Sequence, residues 1–98
     1  MLEMKIQVHY ISLVKTYTKT SQEEFTLNET AQLSDLLNKI SEKYGIPFTQ
    51  EVYDPHHKEM KANFVAMVNG IHMDQLKSVN TPLKDGDSII LMSLMTGG

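Results

Sequence analysis

The sequence contains no cysteine. Disulfides, thiolate metal sites and thiol nucleophiles are thereby excluded together. Arginine is missing as well, and all nine basic residues are lysines. Without the planar guanidinium that clamps phosphate with two parallel bonds, a built-in nucleotide site is not expected. The net charge is −3 and the pI about 5.7, a poor match to a phosphate backbone, so nucleic acid is not an expected partner. Such mild acidity serves solubility or presents a surface to a basic partner. No apolar run approaches the roughly 20 residues that span a bilayer, and no membrane partner is expected. Residues 4–10 alternate apolar Met4, Ile6, Val8 and Tyr10 with Lys5, Gln7 and His9. That is not the pattern of a signal peptide, and the expected location is the cytoplasm.

What is present suits one small domain. Ninety-eight residues, 41% of them hydrophobic, can enclose a single core. The alternation over residues 4–10 predicts a half-buried strand, and residues 23–27 resume it through Phe25 and Leu27. Between them, residues 12–22 are polar and threonine-rich and read as a loop or the frayed end of a hairpin. Leu33, Leu36, Leu37, Ile40 and Tyr44 recur at helical spacing, which predicts a helix over residues 32–44 with one apolar face. Ser34, Asp35, Asn38, Lys39, Glu42 and Lys43 fall on the opposite face, where Asp35 and Lys39 form an i, i+4 ion pair worth a few tenths of a kcal/mol. Thr30 is the candidate N-cap, and Gly45 followed by Pro47 is the stop.

Phe48 and Val52 suggest one further helical turn, and Asp54-Pro55-His56-His57 an exposed turn. Residues 64–68 read as a strand closed by Asn69-Gly70, a pair that accepts the positive φ angles of a tight hairpin. Residues 71–76 read as a short edge strand. Thr81-Pro82-Leu83-Lys84-Asp85-Gly86 is a turn feeding the last strand, residues 87–94. Strands around one helix predict an α+β two-layer domain. If the last strand pairs with both the first strand and the one at Phe64, it runs centrally.

Three stretches in order, Phe64-Val65-Ala66-Met67-Val68-Asn69-Gly70, Thr81-Pro82-Leu83-Lys84-Asp85-Gly86-Asp87, and a hydrophobic strand ending in Thr96-Gly97-Gly98, resemble the MoaD/ThiS-like ubiquitin-like sulfur carriers, the group that includes the molybdopterin synthase small subunit. The start of the helix, Ala31-Gln32-Leu33-Ser34-Asp35-Leu36-Leu37, is similar too. The resemblance implies a β-grasp domain over residues 1–94, with a mixed sheet and one main covering helix, and a flexible tail over residues 95–98. Two departures stand out. Many members have prolines before the tail where Ser93 and Leu94 stand here, and a threonine at the helix start where this chain has Gln32.

The resemblance also implies a chemistry. A separate activating enzyme uses ATP to join the Gly98 carboxylate to AMP, and sulfur then attacks the mixed anhydride to leave a C-terminal thiocarboxylate. On that reading the carrier binds no cofactor stably, is not itself an enzyme, and needs no cysteine. Its partners are the adenylating enzyme and the larger molybdopterin synthase subunit. Gly97 and Gly98 lack a Cβ, so the backbone can pass close to the walls of a partner's cleft. Four residues beyond Leu94 reach at most about 13–14 Å, enough to thread such a cleft. Two terminal glycines arise by chance in roughly 0.5% of chains, so the pair carries weight only together with the upstream motifs. Sulfur delivery to thiamine's thiazole or to tRNA, isopeptide modification of target lysines through Gly98, and a non-covalent module with an idle tail are the competing readings.

Apolar residues that the alternation turns away from the helix supply a docking surface. Ile89 and Leu91 face inward, which places Ile90 and Met92 outward, and Val65 and Met67 join them if Phe64, Ala66 and Val68 face inward. His9 lies at the margin, and Met95 and Thr96 of the tail belong to the same partner contact. Methionine adapts its shape to more than one partner. His56 and His57 beside Asp54 and Glu59 lack metal-ligand spacing and read as a solvated turn. Asp85-Gly86-Asp87 lacks the remaining ligand positions of a calcium loop and reads as a turn as well.

Overall fold

The computed structural model describes residues 2–94. Strand β1 spans Glu3–Tyr10, helix α1 Leu13–Thr18, β2 Gln22–Asn28 and α2 Leu33–Tyr44. A one-turn helix, α3, covers Phe48–Glu51, and β3 (Tyr53–Asp54) pairs with β4 (Glu59–Met60) in a small separate ladder. Then come β5 (Phe64–Val68), β6 (Ile71–His72), short 3₁₀ turns at Met73–Gln75 and Ser78–Asn80, and β7 (Ser88–Ser93). The main sheet runs β2-β1-β7-β5-β6. β7 lies at its centre, parallel to β1 and antiparallel to β5, so the sheet is mixed. This is the β-grasp arrangement expected above.

The core lies between the sheet and α2. Ile6, Val8, Leu33, Leu36, Leu37, Ile40, Ile89 and Leu91 have no measurable exposure. Leu36→Ala should cost about 2–5 kcal/mol, because the pocket it vacates is walled by rigid strand side chains. Urea denaturation checks this; a loss under about 1 kcal/mol would mean that the site collapses freely.

The helix is capped differently from expectation. Gln32, not Thr30, is the N-cap. The Gln32 N–H donates to Asp35 Oδ2 at 2.8 Å, while Thr30 bonds to the Asn28 side chain. Asp35 therefore makes no pair with Lys39, whose Nζ reaches instead to the Thr26 carbonyl at 3.3 Å. A backbone N–H left over at a helix start binds a carboxylate better than an exposed lysine does. Ser34 is buried rather than exposed. The chain before β7 crosses the helix start here, with Leu33 N–H donating to Thr81 O and Leu83 N–H to Ala31 O.

Two further segments depart from the sequence reading. Residues 12–22 contain α1, whose Val14 and Thr18 are buried, where a loop was expected. Six residues without apolar period make no helix alone, and burial of Val14 against the domain stabilises this one. The expected edge strand over residues 71–76 stops at His72, where the chain turns into 3₁₀ at Met73–Gln75 to bury Met73.

β1, β2 and α2 are tied by one carboxylate. Glu23 Oε1 accepts from the hydroxyls of Tyr10 and Tyr44, both at 2.6 Å, and Oε2 pairs with the Lys43 ammonium. The two phenol rings meet edge to face at 6.2 Å. Burial alone would raise the Glu23 pKa, but the bonds from Lys43, Tyr10 and Tyr44 outweigh it and hold the carboxyl below its ordinary 4.5. Burial, with Glu23 beside it, pushes the Tyr44 hydroxyl up to about 12 and Tyr10 higher still. A carboxyl depressed in the folded state adds stability above its unfolded value, and that share is lost as pH falls through the folded value. Glu23→Gln should therefore cost about 1–3 kcal/mol at pH 7 and less at about pH 3. Equal losses at both pH values in urea titrations would refute the linkage.

Candidate functional site

The face of the sheet turned away from α2 is built by alternation. Each strand sends every second side chain outward, and register aligns those residues in rows. His9 lies opposite Gln22 on one side and Ile90 on the other. Ile90 pairs with Met67, and Met67 with His72. One row thus crosses all five strands as Gln22, His9, Ile90, Met67 and His72. The neighbouring row holds Met92 opposite Val65.

The face has two halves. Toward β2 it is polar: the Lys5 ammonium lies 3.9 Å from Glu24, and Gln7 Nε2 donates to Glu24 at 3.1 Å. Toward β5 and β6 it is apolar, with Ile90, Met67 and Met92 half-buried. Val65, expected to be exposed, is only 7% accessible and yet stands outside the main core cluster. With so little of it exposed, Val65 backs the patch more than it presents itself. His72 joins the patch by structure alone. Its Nδ1 accepts from the Asp74 N–H at 3.1 Å, which leaves Nε2 as the nitrogen that carries the proton in the neutral ring. The sequence held the signal for it, because a two-residue Asn69-Gly70 hairpin forces Met67 opposite His72.

The turns around β7 aim it. Asn69 and Gly70 have φ of +52° and +83°, both positive as the tight turn demands. Asn69 Nδ2 donates to Asp87 Oδ1 at 2.9 Å, Ser88 N–H donates back to Asn69 Oδ1, and Lys84 N–H donates to Asp87 Oδ2. Lys5 N–H donates to Asp85 Oδ1, and Gly86 N–H to Lys5 O. Every carboxylate of Asp85-Gly86-Asp87 is thus engaged in holding the turn, as expected. Gly86 has φ +87° with open space around it, so Gly86→Ala should cost about 1–2 kcal/mol through backbone strain alone.

The histidine turn is equally structural. The Asp54 carboxylate accepts from His56 N–H, His57 N–H and the His57 ring, which holds it below the ordinary carboxylate range. Among the described residues no three His, Cys, Asp or Glu side chains converge as metal ligands. Nor is any described helix long and apolar enough to cross a membrane.

β7 ends in the open. Its pairing with β1 stops at Leu91, whose carbonyl accepts from Ile11 N–H. β5 holds it further, through Phe64 opposite Ser93 and Leu94 N–H donating to Asn63 O at 2.6 Å. Leu94 itself is 63% exposed. Met95, Thr96, Gly97 and Gly98 lie outside the described residues. The profile of the ThiS family matches residues 8–98, the whole chain save its first strand residues.

The chain belongs to the ThiS family. This is a family of small ubiquitin-like carriers and modifiers, and its members act as carriers rather than catalysts. Ubiquitin-related modifier 1 of Encephalitozoon cuniculi (strain GB-M1) is 28% identical over 78 residues, spanning 80% of this chain and 79% of that one. A Pyrococcus furiosus protein assigned as molybdopterin converting factor subunit 1 is 27% identical, with a TM-score of 0.75 over 94% of this chain and 99% of its own. The small archaeal modifier protein 1 of Methanosarcina acetivorans shares the fold over both full chains at a TM-score of 0.77 and 19% identity.

Proposed function

We propose that this chain is a sulfur carrier for molybdenum- or tungsten-cofactor synthesis, activated at Gly98 and docked through the outer face of its sheet. The observation that carries this is the placement of Gly97 and Gly98 three and four residues after Leu94, the exposed last contact of the central strand, in a ThiS-family chain without cysteine. The domain is residues 1–94 and the working tail residues 95–98. In the first step a Gly98 carboxylate oxygen attacks the α-phosphorus of ATP and pyrophosphate leaves. A hydrosulfide ion then attacks the acyl carbon of the adenylate, the bond from that carbon to the phosphate oxygen breaks and AMP departs, so that the tail ends as a thiocarboxylate. The activating enzyme supplies the ATP site, in keeping with the absence of arginine here. The chain therefore acts as substrate and carrier, not as the catalyst. The larger synthase subunit takes Met95 to Gly98 into its cleft while Ile90, Met67 and Met92, with His9 at the margin and Val65 beneath, hold the body outside.

Likeness to the Pyrococcus furiosus protein favours the pterin pathway. A second reading has its own support: two of the relatives are named as modifiers, which favours isopeptide bonds from Gly98 to target lysines. Incubation with an activating enzyme, ATP and a sulfur donor should raise the intact mass by about 16 Da as sulfur replaces oxygen. Pull-down under denaturing conditions separates the readings. Covalent ladders without that mass gain would replace the carrier reading with the modifier reading, and neither product would defeat both.

A further inference from the structure

A second surface lies on the far side of β2 from the docking face just described, and its argument does not depend on the sulfur chemistry. β2 is the edge of the main sheet. Tyr10 N–H donates to Ser21 O at 2.9 Å, and the register continues with Glu23, Phe25 and Leu27 opposite Val8, Ile6 and Met4. The amides of those β2 residues therefore point to β1, and those of Gln22, Glu24 and Thr26 point to the free edge. The acceptors along that edge are mostly taken. Thr20 Oγ1 donates to Gln22 O, Lys39 Nζ to Thr26 O and Ala31 N–H to Asn28 O. The N–H groups of Gln22, Glu24 and Thr26 and the carbonyl of Glu24 have no partner among the described residues.

Beside this edge runs a groove of about 570 Å³ between β2 and α2. Leu2, Leu27 and Ala31 give it an apolar floor, and Glu3, Asp35 and Glu42 line it with carboxylates against the single ammonium of Lys39. Open amides beside an apolar groove are what an extended segment adds to as a further strand. Charge selects the occupant. A second copy pairing antiparallel about Glu24 would set Glu24 against Glu24, and like charges directly opposite destabilise a ladder. An acidic segment would meet the groove carboxylates.

We infer that the free edge of β2 binds an extended segment of another protein, with lysine or arginine at alternate positions and small apolar residues between. The basic residues lie opposite Glu24 on the outer face, and the apolar ones fill the groove against Leu27 and Ala31. Lys39 swings off the Thr26 carbonyl to admit the strand; its bond there is exposed and long at 3.3 Å. Glu24 turns to meet the strand by giving up two exposed contacts, the 3.9 Å pair with Lys5 and the 3.1 Å bond from Gln7 Nε2. Such a site lets a partner hold the body at the β2 edge while the segment that follows the central strand β7 is inside an enzyme.

The test uses two capped heptapeptides, Thr-Lys-Val-Lys-Val-Lys-Thr and Thr-Glu-Val-Glu-Val-Glu-Thr, titrated into the full ¹⁵N-labelled chain. The lysine peptide should shift the amides of Gln22, Glu24 and Thr26, protect them from hydrogen exchange, and bind at least about tenfold tighter than the glutamate peptide. Glu24→Lys should erase or reverse that preference. Glu24→Pro, which removes an edge donor without breaking a bond inside the sheet, should abolish the protection. Equal binding of the two peptides overturns the inference. So do shifts confined to His9, Ile90 and Met67, or no binding at about 1 mM peptide.

Discussion

A chain lacking Gly98 should take up no sulfur. Adenylation joins one carboxylate oxygen to phosphorus inside a partner's active site, and its rate depends on holding those atoms in line. Well-placed reacting groups gain effective molarities of about 10⁵–10⁸ M, and a displacement near 1 Å can forfeit about 10²-fold. Deleting one residue draws the carboxylate back by about 3.3–3.6 Å, while the body, held by its sheet face, stays where it was. Charging should therefore fall by 10²-fold or more, read as the disappearance of the mass gain of about 16 Da. The fold offers a clean control. The last described hydrogen bond of β7 is Leu94 N–H to Asn63 O, and Gly98 lies four residues beyond it, outside every contact described for residues 2–94. The amide spectrum of the body should be unchanged. Gly98→Ala should fall between the two, since it keeps the carboxylate's reach but puts a methyl where the cleft must accept bare backbone. If the truncated chain charges at the rate of the intact one, Gly98 is not the acyl donor.

Most of the sheet was legible because period-two alternation is a local signal. Met4, Ile6, Val8 and Tyr10 announced β1, Ile89 and Leu91 announced the inner face of β7, and Asn69-Gly70 set the register of β5 against β6. The central position of β7 depended on pairing between residues some eighty positions apart, and periodicity cannot express that. What failed to show was whatever tertiary burial decides. α1 has valine, tyrosine and threonines where a lone helix would want alanines and leucines, and Val14 and Thr18, buried against the domain with Tyr17 beside the core, give it reason to form. Competition among polar groups was equally hidden. Asp35 had two credible partners by spacing, Lys39 and the helix start, and the backbone won. Val65 illustrates the limit of an alternation argument, which assigns a face and not an exposure. Its side is the outer one by register with Met92, and it is buried all the same.

That distinction between face and exposure decides where the second large effect should fall. Ile90→Glu should weaken docking of the activating enzyme by about 10²-fold or more and leave folding nearly intact. Ile90 sits on the central strand, between His9 and Met67, so a partner covering the patch must cover it. Residues at the centre of such a patch, once desolvated, carry about 2–4 kcal/mol, and a carboxylate left there unpaired adds its own desolvation cost. In the free protein the same side chain is half-buried on the outer face, where a glutamate can reach water, so the expected loss of stability is about 1 kcal/mol or less. Met92→Glu, one row nearer the tail, should weaken docking by a smaller factor, because methionine can repack around a displaced neighbour. Val65→Ala should act mainly on stability, since it lies beneath the surface a partner touches. Thr26→Glu, on the same face but in its polar half toward β2, should change the affinity less than about twofold. Calorimetric titration of each variant against the activating enzyme gives the order. An unchanged affinity for Ile90→Glu beside a weakened Thr26→Glu would move the contact from β7 to the polar half, leaving the methionine patch without the role assigned to it.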